Sequence, residues 1–286
     1  MNCFNGEIYL KESIESILSQ TYKNWELIFW DNKSQDKSAE IFKIYKDKRF
    51  KYFYTDEHTT LYKARNLAIE KSEGDFIAFL DTDDLWDKNK LKIQMDYFNN
   101  PEVGLVYSNC WILKENSRKK KIYIKKELPS GKIFDKLIDK YFVGILTIVM
   151  RKKFYLNLEK KFDERFSIIG DFDFFIRLSR ICLFEAIQKP LASYRIHKNN
   201  LSKIKKNTEI EESEIWLEEN KSNLSKYHVK KLENQIENKK FLNYKIHGKY
   251  RHCINILLNS KKDFRILKNF FLLFIPSFLL KKLLWF

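Results

Sequence analysis

Glycine and proline are scarce in this chain, which has seven glycines and four prolines among its 286 residues. No glycine takes part in a G-x-G-x-x-G or a G-x-x-x-x-G-K-[ST] pattern, so both a dinucleotide-binding loop and a Walker phosphate loop are excluded. If the protein binds a phosphorylated ligand, something other than a glycine-rich backbone loop must neutralise the phosphates.

Cysteine is also rare, and its four copies are widely separated along the chain: Cys3, Cys110, Cys182 and Cys253. They form no C-x-x-C pair, which argues against a structural zinc site. Reduced thiols in a cytosolic protein fit this pattern best.

Acidic residues are outnumbered, with 38 Asp and Glu against 54 Lys and Arg, and the formal net charge is +16. This excess favours a polyanionic partner, namely nucleic acid, an acidic membrane face or phosphorylated substrates. The alternative is a coding bias towards Lys, Ile and Asn. Because the aromatic residues lie at spacings typical of a core and are not interleaved with arginine, no nucleic-acid partner is expected.

The C-terminal region lacks an apolar run long enough to cross a bilayer, since its uninterrupted apolar stretch covers only residues 270–275. Basic residues are interspersed through residues 263–286, and Pro276 would bend a helix there. The segment therefore predicts an element lying in the membrane interface, with Lys281 and Lys282 facing anionic head groups. A helix docked on the protein is the alternative.

Helical and strand patterns alternate through the first part of the chain. Apolar residues of YLKESIESILSQTY recur at helical spacing, with Leu10, Ile14, Ile17 and Leu18 on one face. SAEIFKIYKD and LYKARNLAIEKS also predict helices, whereas WELIFWDN, FKYFYTD and DFIAFL predict strands. This alternation predicts an α/β fold with a mostly parallel, doubly wound sheet flanked by helices.

The later part of the chain divides into further predicted elements and regions. GLVYSNCWIL and GILTIVMRKKF predict strands, DFDFFIRLSRI predicts a helix, and the Lys-rich segment 114–126 predicts a hairpin or a loop. We expect a first domain over residues 1–202. Residues 203–262 predict an α-helical extension with a hairpin-like pair in FLNYKIHGKYRHCINILL, and residues 263–286 form the apolar terminal segment.

A group of carboxylates, Asp81, Asp83 and Asp84, follows the predicted strand DFIAFL. Ligands of open α/β sheets bind outside the carboxyl ends of the strands, where Asp31 is also expected. Closely spaced carboxylates repel each other unless a cation lies among them, and Mg²⁺ or Mn²⁺ often binds one or two carboxylates plus substrate phosphates. We expect Asp81 and Asp83 to hold such an ion. The alternative is a turn at Asp81 and a helix cap at Asp83 or Asp84.

Four segments in this order resemble the motifs of family 2 glycosyltransferases of the GT-A fold: NCFNGEIYLKESIESILSQTYKNWELIFWDNKSQDKS, ARNLAIEKSEGDFIAFLDTDDLW, IIGDFDFFIRLSR and YRIHKNN. The resemblance covers residues 2–202. It implies a Rossmann-like sheet and an enzyme that transfers a sugar from a nucleotide diphosphate to an acceptor hydroxyl, with inversion at the anomeric carbon.

The resemblance also implies roles for single residues in donor binding. Asn5 lies in the loop that contacts the nucleotide, and Asp31 matches the acid that holds the nucleobase, with a turn residue as the alternative. Arg65 and Asn66 lie in the helix that lines the donor pocket, although Arg65 is alternatively a surface charge. Asp81 is the first acid of the D-x-D motif and approaches the ribose or the metal.

Further implied roles concern the metal and the acceptor. Asp83, the second acid of the motif, binds Mn²⁺ or Mg²⁺, and His197 reaches the metal or the diphosphate, with a structural histidine as the alternative. Asp171 matches the catalytic base, with an N-cap as the alternative, and Asp173 is expected to support the start of the helix. The acid that usually precedes the base is replaced by Gly170.

The beginning of the chain departs from the resemblance. Members of the family normally open with a short apolar strand before the NCFN stretch, whereas Met1 lies at the end of that strand. We expect a chain without this strand to be less stable and less active than one extended upstream, because hydrogen-bonding groups of the sheet and part of the nucleotide cleft are exposed.

The sequence thus predicts a metal-dependent glycosyltransferase that builds a bacterial surface polysaccharide. We expect it to be cytoplasmic and peripheral on the inner face of the plasma membrane, and to use a glycan or lipid-linked acceptor. A catalytically impaired remnant that binds nucleotide sugars is the alternative. A nucleotidyltransferase is disfavoured because it usually needs a Gly-rich loop bearing Arg or Lys near the first strand.

Overall fold

The computed structural model of the protein describes residues 1–115, 117, 120–259, 270–277 and 279. The chain forms two compact units, Met1–Asn200 and Leu201–Phe286. Among the described residues, all strands belong to the first unit, and the second unit is helical.

The first unit begins with a parallel sheet in the order β1–β2–β3. Its elements are β1 (Asn2–Cys3), α1 (Glu7–Leu18), β2 (Leu27–Asp31), α2 (Ser38–Ile44), β3 (Phe50–Tyr54) and α3 (Leu61–Glu70). Strand β2 lies in the middle and pairs with β1 over two residues and with β3 over five. Because all three strands are parallel, the loops that follow β1 and β2 lie at the same edge of the sheet.

Helices cover both faces of β2, which explains its uninterrupted apolar sequence. On one face, Leu10 and Ile14 of α1 pack in a buried cluster with Phe29. On the other face, Ala64 of α3 packs with Ile28. Burying a leucine or isoleucine side chain stabilises a folded protein by about 1.5–3 kcal/mol, so the apolar face predicted for α1 holds this helix against the sheet.

The second sheet of this unit has the order β4–β8–β6–β9–β5, with β7 paired to β6. Its elements are β4 (Phe76–Ala78), β5 (Leu85–Trp86), α4 (Lys90–Met95), β6 (Val103–Lys114), β7 (Lys120–Ile122), α5 (Phe134–Asp139), β8 (Val149–Arg151), α6 (Lys152–Asn157), α7 (Gly170–Leu178) and β9 (Leu183–Ile196). Strands β6 and β9 are parallel, and the other pairs are antiparallel. The second sheet is therefore mixed, whereas the first is wholly parallel.

Strand β9, the longest among the described residues, lies in a stretch for which the sequence predicts no strand. It pairs with β6 along most of its length, and Pro190 stands opposite Asn109 where the register shifts. Proline has no N–H to donate to a ladder and is tolerated in sheets at such irregularities. Its presence weakens the strand pattern in the sequence, although the tertiary structure accommodates it.

Two predicted elements acquire definite limits. Within GILTIVMRKKF only β8 is a strand, because Ile145–Thr147 form a 3₁₀ turn and α6 begins at Lys152. The Thr147 hydroxyl donates to the carbonyl of Gly144 at 2.6 Å, which supports that turn. The Lys-rich segment forms the predicted hairpin, since β7 pairs antiparallel with β6.

A cavity of about 620 Å³ lies beside β1, and its lining includes Met1, Leu27, Ile77 and Phe79. The terminal amine of Met1 donates to the carbonyl of Ile28 at 2.8 Å. Burial lowers the pKa of this amine to about 5, so it is uncharged at neutral pH.

The second unit consists of α8 (Leu201–Ile204), α9 (Lys206–Asn220), α10 (Lys226–Ile246), α11 (Tyr250–Asn259) and a helical turn over residues 270–274. Gly248 has a φ of 72° and lets the chain reverse between α10 and α11, which form the predicted helical pair. Of the segment 263–286, the prediction of an interfacial element falls largely outside the described residues. No helix among those described is both long enough and apolar enough to span a bilayer.

Candidate active site

The acidic loop, residues 81–84, lies between β4 and β5 and is held by contacts from α1 and from the loop after β1. The hydroxyl of Ser13 on α1 lies 2.7 Å from the carbonyl oxygens of both Thr82 and Asp84. A side chain at Gly6 would bring its Cβ within 2.7 Å of the Thr82 hydroxyl, so glycine permits the close approach of the loop after β1. The ends of β1 and β4 therefore meet at one site.

The acidic loop leads directly into β5, and the next helix, α4, begins only at Lys90. The alternative interpretation of Asp83 or Asp84 as a helix cap is therefore wrong. Asp84 is buried, and its carboxylate accepts the backbone N–H of Arg195 at 2.9 Å. Burial, and then the neighbouring charge of Asp83, raise the pKa of Asp84 well above its ordinary value.

Arg195, near the end of β9, fixes the acidic loop from the opposite side. Its Nε donates to the carbonyl of Asp83 at 2.9 Å, and its guanidinium pairs with Glu12 of α1 at 2.7 Å. The sequence draws attention to YRIHKNN only for its histidine. Arg195, two residues before this histidine, is a further residue of the site, and the sequence did not predict its role.

Asp81 forms an ion pair with Arg65 of α3. One guanidinium nitrogen lies 3.0 and 3.1 Å from the two carboxylate oxygens. The Arg65 side chain is buried, whereas that of Asp81 is one-third exposed. The interpretation of Arg65 as a surface charge is therefore wrong, and this buried cation holds Asp81 at the edge of the site.

Asp83 faces His197, with 2.8 Å between the carboxylate oxygen and Nε2 of the imidazole. The other ring nitrogen, Nδ1, lies 3.2 Å from the backbone nitrogen of Asn199, so one ring nitrogen faces the carboxylate and the other faces the main chain. Burial, and then the charge of Asp81, raise the pKa of Asp83. A cation beside Asp83 would reverse this unfavourable electrostatics.

Asp171 lies in the first turn of α7 and faces the hydroxyl of Tyr62 at 3.4 Å. Its carboxylate accepts the backbone N–H of Phe172 at 2.8 Å. Burial raises the pKa of Asp171, and the charge of Arg65 and the hydroxyls of Tyr141 and Tyr62 oppose that shift. A carboxylate with a raised pKa is a stronger proton acceptor than an ordinary aspartate.

Tyr62 and Arg65 connect the two predicted acidic centres. The guanidinium of Arg65 lies 5.3 Å from the centre of the Tyr62 ring, and its charge acts on both Asp81 and Asp171. The structure thus brings Asp171, at the start of α7, and Asp81, at the end of β4, to one side of α3. Neither the tyrosine nor this linkage is predicted from the sequence.

The presence of glycine at position 170 has a steric explanation that the sequence does not reveal. A Cβ at this position would lie 2.5–2.7 Å from ring carbons of Tyr62, whose side chain is buried. The Tyr62 hydroxyl donates to the carbonyl of Ile168 at 2.9 Å, which fixes the ring against the start of α7. The space of a side chain at position 170 is therefore taken by Tyr62.

Replacing Gly170 with alanine is expected to destabilise the protein by about 1–3 kcal/mol, because the new methyl group would overlap the buried ring of Tyr62. Thermal unfolding measures this loss. Gly74→Ala is the matched control, since its Cβ would make only ordinary contacts at 3.5 and 3.9 Å. In a Tyr62→Leu background, Gly170→Ala is expected to cost less, and an unchanged cost would contradict the proposed overlap.

Asn5 and Asp31 lie in neighbouring loops after β1 and β2. Asn5 adopts a left-handed φ of 52°, and its side chain accepts the backbone N–H of Gln35 at 2.8 Å. Asp31 is buried, and its two oxygens accept the N–H of Ser34 at 2.8 Å and the hydroxyl of Tyr52 at 2.7 Å. Both residues thus order the loops at this edge of the sheet, and their contact with a nucleotide stays a prediction.

Asn66 has a structural role in the described contacts. Its amide nitrogen donates to the carbonyl of Phe162 and to Glu164, and its oxygen accepts from Phe162 N–H and the Tyr155 hydroxyl, all at 3.0–3.1 Å. Both donors and both acceptor positions of the amide are used in this way. Asn66 therefore ties residues 162–164 to α3, and a donor contact from this buried side chain would require it to give up one of these bonds.

Asp173 pairs with Arg177 one turn later on α7, at 2.6 Å. Arg177 also donates to the carbonyl of Lys161 at 2.7 Å, so this pair fastens the preceding loop to the helix. Asp173 therefore supports α7, as expected, and Asp171 is left as the acid of this turn that faces the site.

The side chains at this site supply only some of the ligands that a hard divalent cation needs. Asp83 and His197 are adjacent, whereas Asp81 is directed to Arg65. Among the residues that the structure describes, no three His, Cys, Asp or Glu side chains form a metal-binding group. One or two carboxylates are nevertheless usual when Mg²⁺ or Mn²⁺ is shared with substrate phosphates, and Asp83 supplies one, so the residues present fit such an ion.

Comparison with proteins of known structure identifies the fold of the chain. Residues 1–349 of S. aureus TarS, in a crystal structure with UDP-GlcNAc, superimpose with a TM-score of 0.66 at 17% identity, over 90% of this chain and 78% of that one. The mannosyltransferase PcManGT of Pyrobaculum calidifontis, in complex with GDP-Man and Mn²⁺, superimposes with a TM-score of 0.60 at 12% identity, over 93% and 76% of the two chains. These likenesses confirm the predicted GT-A fold.

Sequence comparison gives the family. The Escherichia coli UDP-Glc:alpha-D-GlcNAc-diphosphoundecaprenol beta-1,3-glucosyltransferase WfgD is 35% identical over 150 residues, which are 52% of this chain and 58% of that enzyme. The model of the glycosyl transferase family 2 matches residues 1–166, more than half of the chain. Because this match extends over more than half of the chain, the chain belongs to glycosyl transferase family 2.

Proposed function

We propose that the protein is an inverting glycosyltransferase that transfers a sugar from a nucleotide diphosphate to an acceptor hydroxyl during synthesis of a bacterial surface polysaccharide. The observation that carries this proposal is the convergence of Asp171 and Asp81 through Tyr62 and Arg65 on one side of α3. Asp171 has a raised pKa and faces the hydroxyl of Tyr62, which suits a base, and Asp81 and Asp83 follow the end of β4.

Asp171 is the proposed base. In a single displacement, the acceptor hydroxyl attacks the anomeric carbon on the face opposite the departing nucleotide diphosphate, and Asp171 takes the hydroxyl proton. The bond to the diphosphate oxygen breaks as the new glycosidic bond forms, which inverts the anomeric centre. Tyr62 and the N–H of Phe172 hold the carboxylate in place for this step.

Donor binding is proposed at the loops after β1, β2 and β4. Asn5 and Asp31 order the nucleotide side of this edge, and Arg65 neutralises Asp81 so that the acidic loop does not repel a diphosphate. Asp83 and His197 would hold Mn²⁺ or Mg²⁺. When bound, such an ion supplies Lewis-acid stabilisation of the diphosphate leaving group.

The proposed acceptor is a glycan or a lipid-linked sugar at the cytoplasmic face of the plasma membrane. The name of the WfgD relative specifies an acceptor attached to diphosphoundecaprenol, which supports a lipid-linked acceptor in this chain as well. The formal net charge of +16 also suits work beside an anionic surface.

Release of nucleotide diphosphate tests the proposal. The full chain is incubated with Mn²⁺ or Mg²⁺ and with UDP-, GDP- and dTDP-sugars, alone and with undecaprenyl-diphosphate-linked acceptors. We expect release with one nucleotide class and an increase on addition of acceptor. Donor binding by calorimetry without release under any of these conditions would favour the alternative, a catalytically impaired nucleotide-sugar-binding protein.

A further inference from the structure

An apolar surface in the second unit is formed by two exposed groups of side chains. On α11, Tyr250, Ile254 and Leu258 are spaced four residues apart and therefore form one ridge of the helix. All three are exposed, and Leu258 reaches 77% exposure. Cys253 of the same helix is fully buried, so the helix turns a different face to its own unit.

The second group comes from the helical turn 270–274. Phe271 and Phe274 are 66% and 72% exposed, and the ring of Phe274 lies 5.3 Å from that of Phe270. Burying an aromatic side chain is among the larger favourable contributions that a residue makes, so a surface cluster of phenylalanines indicates a partner.

Contacts within the second unit place the two groups side by side. The buried ammonium of Lys245 donates to the carbonyl of Leu273 at 2.8 Å and lies 4.4 Å from the centre of the Tyr250 ring. The hydroxyl of Ser277 donates to the carbonyl of Lys245 at 2.9 Å and lies 3.5 Å from the Tyr250 hydroxyl. The helical turn is thus fastened to the start of the α11 ridge.

The charge of the sequence around this surface is mostly positive. Residues 245–286 contain nine Lys or Arg and a single acid, Asp263. Lys249 and Arg251, which flank the first residue of the ridge, are exposed. A helix with an apolar ridge and basic neighbours has the chemistry that binds the boundary between acyl chains and anionic head groups.

We propose that this surface, Tyr250, Ile254 and Leu258 of α11 with Phe270, Phe271 and Phe274, binds the surface of an anionic lipid bilayer. A second copy of the chain fits less well, because a twofold contact would bring two strongly basic segments together. A nucleic acid would satisfy the lysines and arginines but not the exposed aliphatic side chains. The surface extends the predicted interfacial segment backwards to α11 and does not rest on the proposed chemistry.

Flotation with lipid vesicles tests this proposal on the full chain. We expect the protein to float with vesicles of phosphatidylglycerol and phosphatidylcholine in equal parts, and to do so much less with pure phosphatidylcholine. The triple variant Leu258→Ser, Phe271→Ser, Phe274→Ser is expected to lose more than about tenfold in partitioning. Ile44→Ser is the control, since Ile44 on α2 of the first unit is an apolar side chain as exposed as Phe274 (72% each).

The outcomes separate the possible occupants. An unchanged melting temperature of the triple variant shows that its loss of binding is not unfolding. The proposal is overturned if the wild-type protein does not float with anionic vesicles, or if it floats equally with both lipid mixtures. It is also overturned if the triple variant floats as well as the wild type. A dimer in light scattering that only the triple variant abolishes, without vesicle binding, assigns the surface to a second copy instead. Because no donor or acceptor is present, failure here leaves the proposed transferase activity untouched.

Discussion

Asp171→Asn is expected to lower the rate of sugar transfer by about 10²- to 10⁴-fold, the usual contribution of a general base, while donor affinity stays near that of the wild type. The amide keeps the size of the side chain and its contact with the backbone N–H of Phe172 but cannot accept the acceptor proton. Single-turnover transfer together with calorimetric donor binding measures the two effects separately.

The pH profile of the wild type adds a second readout for Asp171. Because burial raises its pKa, the carboxyl is still protonated at pH values where an ordinary aspartate is ionised. The rate of transfer should therefore rise with pH and reach its plateau later than the ordinary aspartate pKa of about 3.9 would give. The opposing groups that face Asp171 are Arg65, Tyr62 and Tyr141.

Asp173→Asn is the matched control for this prediction, because it changes the same atom type two residues away on α7. It breaks the buried pair with Arg177, so the expected effect is a loss of stability of about 1–3 kcal/mol with transfer largely kept. A variant Asp171→Asn with wild-type transfer, or with the same loss of melting temperature as Asp173→Asn, would show that Asp171 is structural.

Asp83→Ala is expected to remove metal-dependent donor binding and to lower kcat/KM by more than about 10²-fold. Even partners that only orient metal ligands typically contribute about 10- to 100-fold, and Asp83 is proposed as a ligand. Calorimetric titration of Mn²⁺ in the presence of each nucleoside diphosphate measures the binding. The exposed acid at the end of the same segment, Asp87→Asn, is the control and should leave Mn²⁺ binding unchanged.

The melting temperature of Asp83→Ala distinguishes a loss of metal binding from a loss of folding. The raised pKa of Asp83 means that the folded state disfavours its ionised form, so removing the carboxylate should not lower the melting temperature in metal-free buffer. His197→Ala should weaken Mn²⁺ binding in the same direction. Manganese binding that survives in Asp83→Ala would place the ion elsewhere and contradict the proposed role of the acidic loop.

The helices and strands of the first unit could be predicted from the sequence, because the spacing of apolar residues in each segment indicates which of its faces is buried. The apolar face of α1 is buried as its spacing indicates, and the uninterrupted run of β2 is covered by helices on both faces. The acidic residues after β4 lie at the end of their strand for the same reason, since a run of buried residues cannot continue into four polar ones.

The partners within the site could not be predicted, because they come from segments far apart in the chain. Arg65 meets Asp81, and Tyr62 occupies the space that a side chain at position 170 would need. Strand β9 carries Arg195 to the acidic loop although Pro190 weakens its pattern.

By itself, the sequence determined the run of helices and strands around β2, the position of the carboxylates at a strand end, and the family motifs in their order. The tertiary structure alone decided which carboxylate is paired with an arginine, which carboxylate faces tyrosine hydroxyls, and which predicted donor-binding residue also fastens a loop. The physical reason is that the burial pattern of a helix or strand depends on the order of residues within that segment. The pKa of Asp171 and the partner of Asp81 instead depend on groups that only folding brings within a few ångströms.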